Sequence, residues 1–125
     1  IPHPSGAASA VPKTIPGLKS HLDGMALRVP VADGSITTVI AVVHKLTSVE
    51  EINKVFKKAS QSSLKGVLEY SELPLVSSDI IGNPYSCIFD SGFTKVNGRL
   101  VQVVGWYDNE WGYSCRMVDM IKMMG

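Results

Sequence analysis

Apolar residues recur along the chain with two different periods. Met25, Leu27, Val29 and Val31 alternate with Ala26, Arg28 and Pro30, the two-residue repeat of a strand with one apolar face. A second run rich in Ile, Thr and Val covers residues 36–43, and the Asp33-Gly34 pair between them predicts that the two strands form an antiparallel hairpin. The period then changes. Val49, Ile52, Val55, Phe56 and Ala59 recur at three- and four-residue spacing, behind two overlapping capping boxes, Thr47 with Glu50 and Ser48 with Glu51. Lys54, Lys57 and Lys58 lie mostly off that stripe and towards the end of the predicted helix, where cations suit its dipole, so this charge run reads as a solvated face.

Residues 64–70 and 85–89 read as short strands, separated by a polar loop over 71–79 and by the Gly82-Asn83-Pro84 break. Asn97-Gly98 predicts a hairpin joining 93–94 to 100–104. From Tyr113 the positions of Met117, Val118, Met120, Ile121 and Met124 take up helical spacing, a Met-rich stripe expected to pack in the core. Near the start, Ser5 is placed to cap a short helix over 5–11, with Pro12 limiting its regularity. This order and its hairpin signals predict an α+β domain: a mixed, mainly antiparallel sheet with helices packed on one face. No G-x-G-x-x-G follows a strand, so no dinucleotide-binding unit is expected within residues 1–125.

Composition narrows the function classes. A chain of 125 residues that is 45% hydrophobic has the length for one buried core. Twelve basic residues against eleven acidic ones, with no basic stripe, argue against nucleic acid as a partner. No apolar run reaches the roughly 18 residues of a membrane span, and the start of the chain lacks the basic and apolar regions of a signal peptide. The expectation is a cytoplasmic location, and the absence of an initiator Met suggests a piece of a longer protein. Cys87 and Cys115 lack C-x-x-C spacing and suit free thiols, although the sequence leaves one disulfide open. No metal-ligand spacing surrounds His44, and no metal site is expected.

Candidate chemistry is sparse. Ser77-Ser78-Asp79 sets hydroxyls beside a carboxylate but brings no histidine to act as base, so turn chemistry explains it better. Ser5 and Gly6 open a helix whose first N–H groups have no partner, which makes either a plain cap or an anion site. Arg28 is either a solvated arginine or a fork-shaped cation for phosphate or carboxylate. The densest feature is Trp106-Tyr107-Asp108-Asn109-Glu110-Trp111-Gly112-Tyr113-Ser114. It holds both tryptophans and two of the four tyrosines, at the point where a β-branched run gives way to a helical pattern.

That string, with Ser5-Gly6-Ala7-Ala8, Asp23-Gly24-Met25-Ala26-Leu27-Arg28-Val29-Pro30, Val76-Ser77-Ser78-Asp79 and Ser86-Cys87-Ile88-Phe89-Asp90, resembles the C-terminal, catalytic-domain part of phosphorylating glyceraldehyde-3-phosphate dehydrogenase. The resemblance implies NAD as cofactor, glyceraldehyde 3-phosphate and inorganic phosphate as substrates, and a homotetrameric parent. It implies that Asn109 binds the nicotinamide carboxamide, that Tyr113 lies close to the nicotinamide, that Arg28 binds substrate phosphate, and that Ser5 and Gly6 bind the incoming phosphate. Ser5 stands where threonine is common, keeping the hydroxyl, and Ser9 stands where lysine is common, removing a positive charge. The Ser-Cys-Thr-Thr-Asn segment with the nucleophile, the catalytic histidine and the N-terminal NAD-binding domain do not occur in these 125 residues. The expectation is a partial catalytic domain that is inactive alone.

Overall fold

The computed structural model describes residues 1–125, which divide into two compact units, Ile1–Val31 and Ala32–Gly125. In the first, strand β1 (Pro2–Pro4) pairs antiparallel with β2 (Met25–Leu27), Pro2 opposite Leu27 and Pro4 opposite Met25. Two prolines in three residues hide β1 from a sequence reading, because proline cannot donate to a ladder; a two-stranded ribbon leaves outer edges where no donor is needed. Helix α1 (Gly6–Thr14) begins as expected, with the Ser5 side chain accepting from Ala7 N at 3.3 Å. It runs beyond the predicted end and through Pro12. A short 3₁₀ turn (Pro16–Leu18) follows, and neither helical element buries a residue.

The second unit is built on strand β7 (Leu100–Tyr107). One side of β7 lies antiparallel along the whole of β3 (Ser35–Val42), from Ser35 opposite Tyr107 to Val42 opposite Leu100. Its other side is shared by β6 (Lys95–Asn97) and then β5 (Cys87–Asp90), both antiparallel. Strand β4 (Leu68–Ser71) completes the sheet parallel to β5. The architecture is therefore α+β with a mixed, mostly antiparallel sheet, as the sequence predicts.

The predicted hairpin of β2 with β3 does not form. β2 pairs with β1, and β3 takes its partner from far along the chain in β7. Asp33-Gly34 still makes a turn: Gly34 has φ +90 and its N–H donates to Asp33 Oδ1 at 2.7 Å. A local turn signal does not say which strand lies across it. The Asn97-Gly98 hairpin does form, one residue out of the expected phase. Asn97 pairs with Leu100, so the two loop residues are Gly98 and Arg99, with Gly98 at φ 63 taking the position that needs glycine.

Helix α2 (Val49–Gln61) follows the Ser48 capping box, with Glu51 N donating to Ser48 Oγ and Ser48 N donating to Glu51 Oε2. Thr47 joins the same carboxylate instead of forming its own box. Phe56 stacks on Phe89 of β5 with ring centroids 4.0 Å apart, and Tyr70 of β4 stacks on the same ring at 5.7 Å. Burying a side chain of that size stabilises by about 1.5–3 kcal/mol. Asn53 ties the same helix to the chain after β5, accepting from Thr94 Oγ1 at 2.7 Å and donating to Ser91 O at 3.3 Å. Val55, expected on the packed stripe, is exposed.

The core consists of Leu68, Ile80, Ile88, Phe89, Val101 and Val104. The predicted loop over 71–79 contains a four-residue helix, α3 (Ser77–Ile80), where Asp79 Oδ2 accepts from Val76 N at 2.9 Å and Ile80 is fully buried. The closing helix α4 runs Trp111–Met124. Its Met-rich stripe is not core: Met117, Met120, Ile121 and Met124 are all exposed, because nothing in these 125 residues covers that face. Both cysteines are free, and no helix is long and apolar enough to cross a membrane.

Candidate functional site

The corner between β7 and α4 is held by one buried carboxylate. Asp108 Oδ1 accepts from Glu110 N at 2.9 Å and from Trp111 N at 2.7 Å, while Oδ2 accepts from Gly82 N at 2.8 Å. The first pair is the bonding of an N-cap to the second and third helical residues, and Gly112 N donates to the Asp108 carbonyl. In hydrogen-bond terms the helix thus opens at Asn109, two residues ahead of its regular geometry. Burial alone would raise the Asp108 pKa, but the three backbone N–H groups outweigh it, with a smaller contribution from the Asp33 side chain, and hold it below the ordinary value.

This cap sets the backbone on either side of Asn109. The Asn109 side chain is reached from the sheet by Ser35, whose hydroxyl donates to Oδ1 at 3.1 Å. Nδ2 donates to no protein group, so the amide keeps two free N–H donors. Asn109, Tyr113 and Tyr107 line a pocket of about 240 Å³, with Arg116 on its wall. Arg116 is held by the protein itself, bonded to Asp119, the Gly66 carbonyl and Ser86 Oγ. It is a brace and not a free cation for a ligand. Tyr113 is 68% exposed. An amide with free donors beside a tyrosine ring fits a flat heteroaromatic carrying a carboxamide.

The tryptophans divide. Trp106 is half-buried and its Nε1 donates to Asp90 Oδ2 at 3.0 Å, so it packs into the domain; Trp111 is exposed and does not. Gly112 is buried at the pocket wall: a Cβ there would lie 2.7 Å from the Tyr85 carbonyl oxygen. Cys87, the first residue of β5, has its thiol pKa raised by burial, which disfavours the thiolate a nucleophile needs. No group of three His, Cys, Asp or Glu side chains could hold a metal ion.

The string that builds this corner lies at the end of a stretch, residues 1–109, that matches the family model of the glyceraldehyde 3-phosphate dehydrogenase C-terminal domain. The chain belongs to that family. It is 52% identical over all 125 residues to the glyceraldehyde-3-phosphate dehydrogenase of Mycobacterium avium and 52% identical to that of Mycobacterium leprae. Glyceraldehyde-3-phosphate dehydrogenase 2 of Streptomyces arenae is 49% identical over the same length. In each case the chain is covered completely and spans 37% of the relative. The family match reaches Asn109 and stops short of Tyr113, which the relatives cover.

The other expected site residues of this family domain lie in the first unit. Ser5 is half-buried at the cap of α1, Gly6 is exposed at its first position, and no atom within 4 Å would meet a Cβ on Gly6, so its backbone is open to an approaching anion. Arg28 is exposed. Its backbone is fixed on both sides by Ile1, which donates to the Arg28 carbonyl at 2.7 Å and accepts from Arg28 N at 2.9 Å. Arg28 takes part in neither ion pair of the chain. It lies past one end of the β1–β2 ribbon and Ser5 past the other, roughly 13 Å apart at ~3.3 Å per residue.

Sequence reasoning missed Ser35 and Asp108. Asp108 carries a readable signal, an aspartate two and three residues ahead of the groups it caps. Ser35 carries none, because its relation to Asn109 depends on the β3–β7 register.

Proposed function

We propose that this domain serves the phosphorylating oxidation of glyceraldehyde 3-phosphate, with NAD and inorganic phosphate, to 1,3-bisphosphoglycerate. The observation that carries the reading is the convergence of Asn109 and Tyr113 on one pocket. Asn109 Nδ2 would donate to the carboxamide of the nicotinamide and Tyr113 would lie close to its ring, fixing the face presented to substrate. NAD, when bound, accepts a hydride. Arg28 would hold the phosphate of the substrate, and Ser5 with Gly6 the incoming phosphate, at two separate anchors that suit the two phosphates of the product. The nucleophilic cysteine, the catalytic histidine and the NAD-binding domain belong, on this reading, to the part of the enzyme beyond these residues.

In that enzyme the cysteine thiolate would add to the aldehyde carbon, the histidine would take the hydroxyl proton of the adduct while bound NAD supplies the hydride acceptor, and phosphate oxygen would then displace the thiolate from the thioester. The covalent intermediate splits one difficult transfer into two easier ones. We place the enzyme in the cytoplasm as a homotetramer. The 125-residue chain supplies positioning groups and no nucleophile, so it is inactive alone. An assay of the chain with NAD, glyceraldehyde 3-phosphate and phosphate is expected to show no turnover. Activity without an added domain would overturn this.

A second reading, a self-associating or phosphate-binding domain without catalysis, draws on the uncovered apolar faces of β3 and α4. Sedimentation of the chain at high concentration tests the first form, since a strict monomer excludes it. Arg28→Ala tests the second, which requires loss of anion binding.

A further inference from the structure

We propose that Ser35 is a positioning residue for the nicotinamide-binding amide, acting through Asn109; this rests on the assignment of Asn109 to the carboxamide. An asparagine side chain at a helix start has a free torsion at its terminal amide, and turning it over exchanges its donor for its acceptor. For a ligand that must be met by the donor, an unrestrained amide presents the wrong end for part of the time, and apparent affinity falls with the competent fraction. The Ser35 hydroxyl restrains that torsion by holding one end of the amide, donating to Oδ1 at 3.1 Å, and in this arrangement Nδ2 is the free end.

The scaffold behind Ser35 is equally fixed. Its pairing with Tyr107 is the last rung of the β3–β7 ladder, immediately before the Asp108 cap, so sheet register carries Ser35 to the amide two residues on. On the other side is the Asp33-Gly34 turn. Gly34 has φ +90, and a Cβ there would lie 3.2 Å from the Ser77 carbonyl, so the turn has little room to withdraw Ser35 from the corner. Two long-range constraints therefore meet at Asn109: Asp108 sets its backbone and Ser35 its side chain.

The amide end left free is a donor, so the group it reads is the carbonyl oxygen of the carboxamide and not its amino group. The test uses the full-length dehydrogenase polypeptide carrying this segment. NAD affinity is measured by calorimetry, alongside KM and kcat. Ser35→Ala is expected to raise the Kd and KM for NAD roughly fivefold, the scale of one hydrogen bond, with kcat little changed. Ser35→Thr, which keeps the hydroxyl, restores both. The Ser35→Ala penalty also carries over to the 3-acetylpyridine analogue of NAD, which keeps the carbonyl and lacks the amino group. Asn109→Ala separates the two claims. If it leaves NAD affinity unchanged, the assignment of Asn109 fails; if it weakens affinity while Ser35→Ala does not, the positioning role alone is overturned. A Ser35→Ala penalty that disappears with the analogue overturns the carbonyl orientation.

Discussion

Gly112 stands against the main chain of Tyr85: a Cβ at position 112 would lie 2.7 Å from the Tyr85 carbonyl oxygen and 3.5 Å from its carbon. Alanine ordinarily stabilises a helical position over glycine by about 1 kcal/mol. Here the obstacle is backbone and cannot swing aside, so Gly112→Ala is expected to destabilise the chain by about 1–3 kcal/mol, the cost of overpacking. Urea unfolding monitored by circular dichroism checks the sign. A higher midpoint for the variant would show that the β7–α4 corner has slack.

Gly105 offers a contrast, because its neighbour is a side chain. A Cβ there would lie 2.5 Å from Cys87 Sγ on the adjacent strand β5. Gly105→Ala is expected to cost about 1–3 kcal/mol in the wild-type background, and much less beside Cys87→Ala, where the sulfur is gone. The double-mutant cycle gives the coupling directly. Additive effects would mean that the clash is with something other than the thiol.

What could be read from the sequence was what the chain decides locally. Ser48 and Glu51 announce α2 within four residues, Ser5 announces α1, and Gly98 marks a hairpin, because caps and turns depend on near neighbours. Pairings between distant segments were not legible. Asp33-Gly34 looked like the turn of a β2–β3 hairpin, yet β3 pairs with β7, a strand far along the chain that no local signal names. For the same reason Asn109 and Tyr113 could be named from their string while the Ser35 bond that orients one of them could not. The stripe on α4 shows a further limit: a helical pattern of methionines records that a face is apolar and says nothing of what covers it.

The exposure of that stripe predicts an asymmetry between two apolar positions. Met120 is 57% exposed and Ile88 only 3%. In the 125-residue chain Met120→Lys is expected to change stability by less than about 0.5 kcal/mol, as for an unconstrained surface site. Ile88→Ala should cost about 2–5 kcal/mol through lost burial and the cavity left behind. Denaturant midpoints compare the two directly. A loss at Met120 as large as that at Ile88 would place α4 in the core of the isolated chain.

Asp108 links the corner to pH. Burial works to raise its pKa, and the N–H groups of Trp111, Gly82 and Glu110 more than reverse this, so the native value lies below the ordinary one. A lowered native pKa means that the unfolded chain takes up the proton first as pH falls through ~3.9. The stabilisation is fully present above that pH and is lost as the pH falls through the native value. Asp108→Asn removes the charge while nearly keeping the shape, and should cost about 1.5–3 kcal/mol at neutral pH, the range for bonds to a charged acceptor. The stability difference between wild type and variant should therefore shrink as unfolding is measured at successively lower pH, below about pH 4. A difference that stays constant through that acid range would assign the cost of the variant to shape and not to the carboxylate charge.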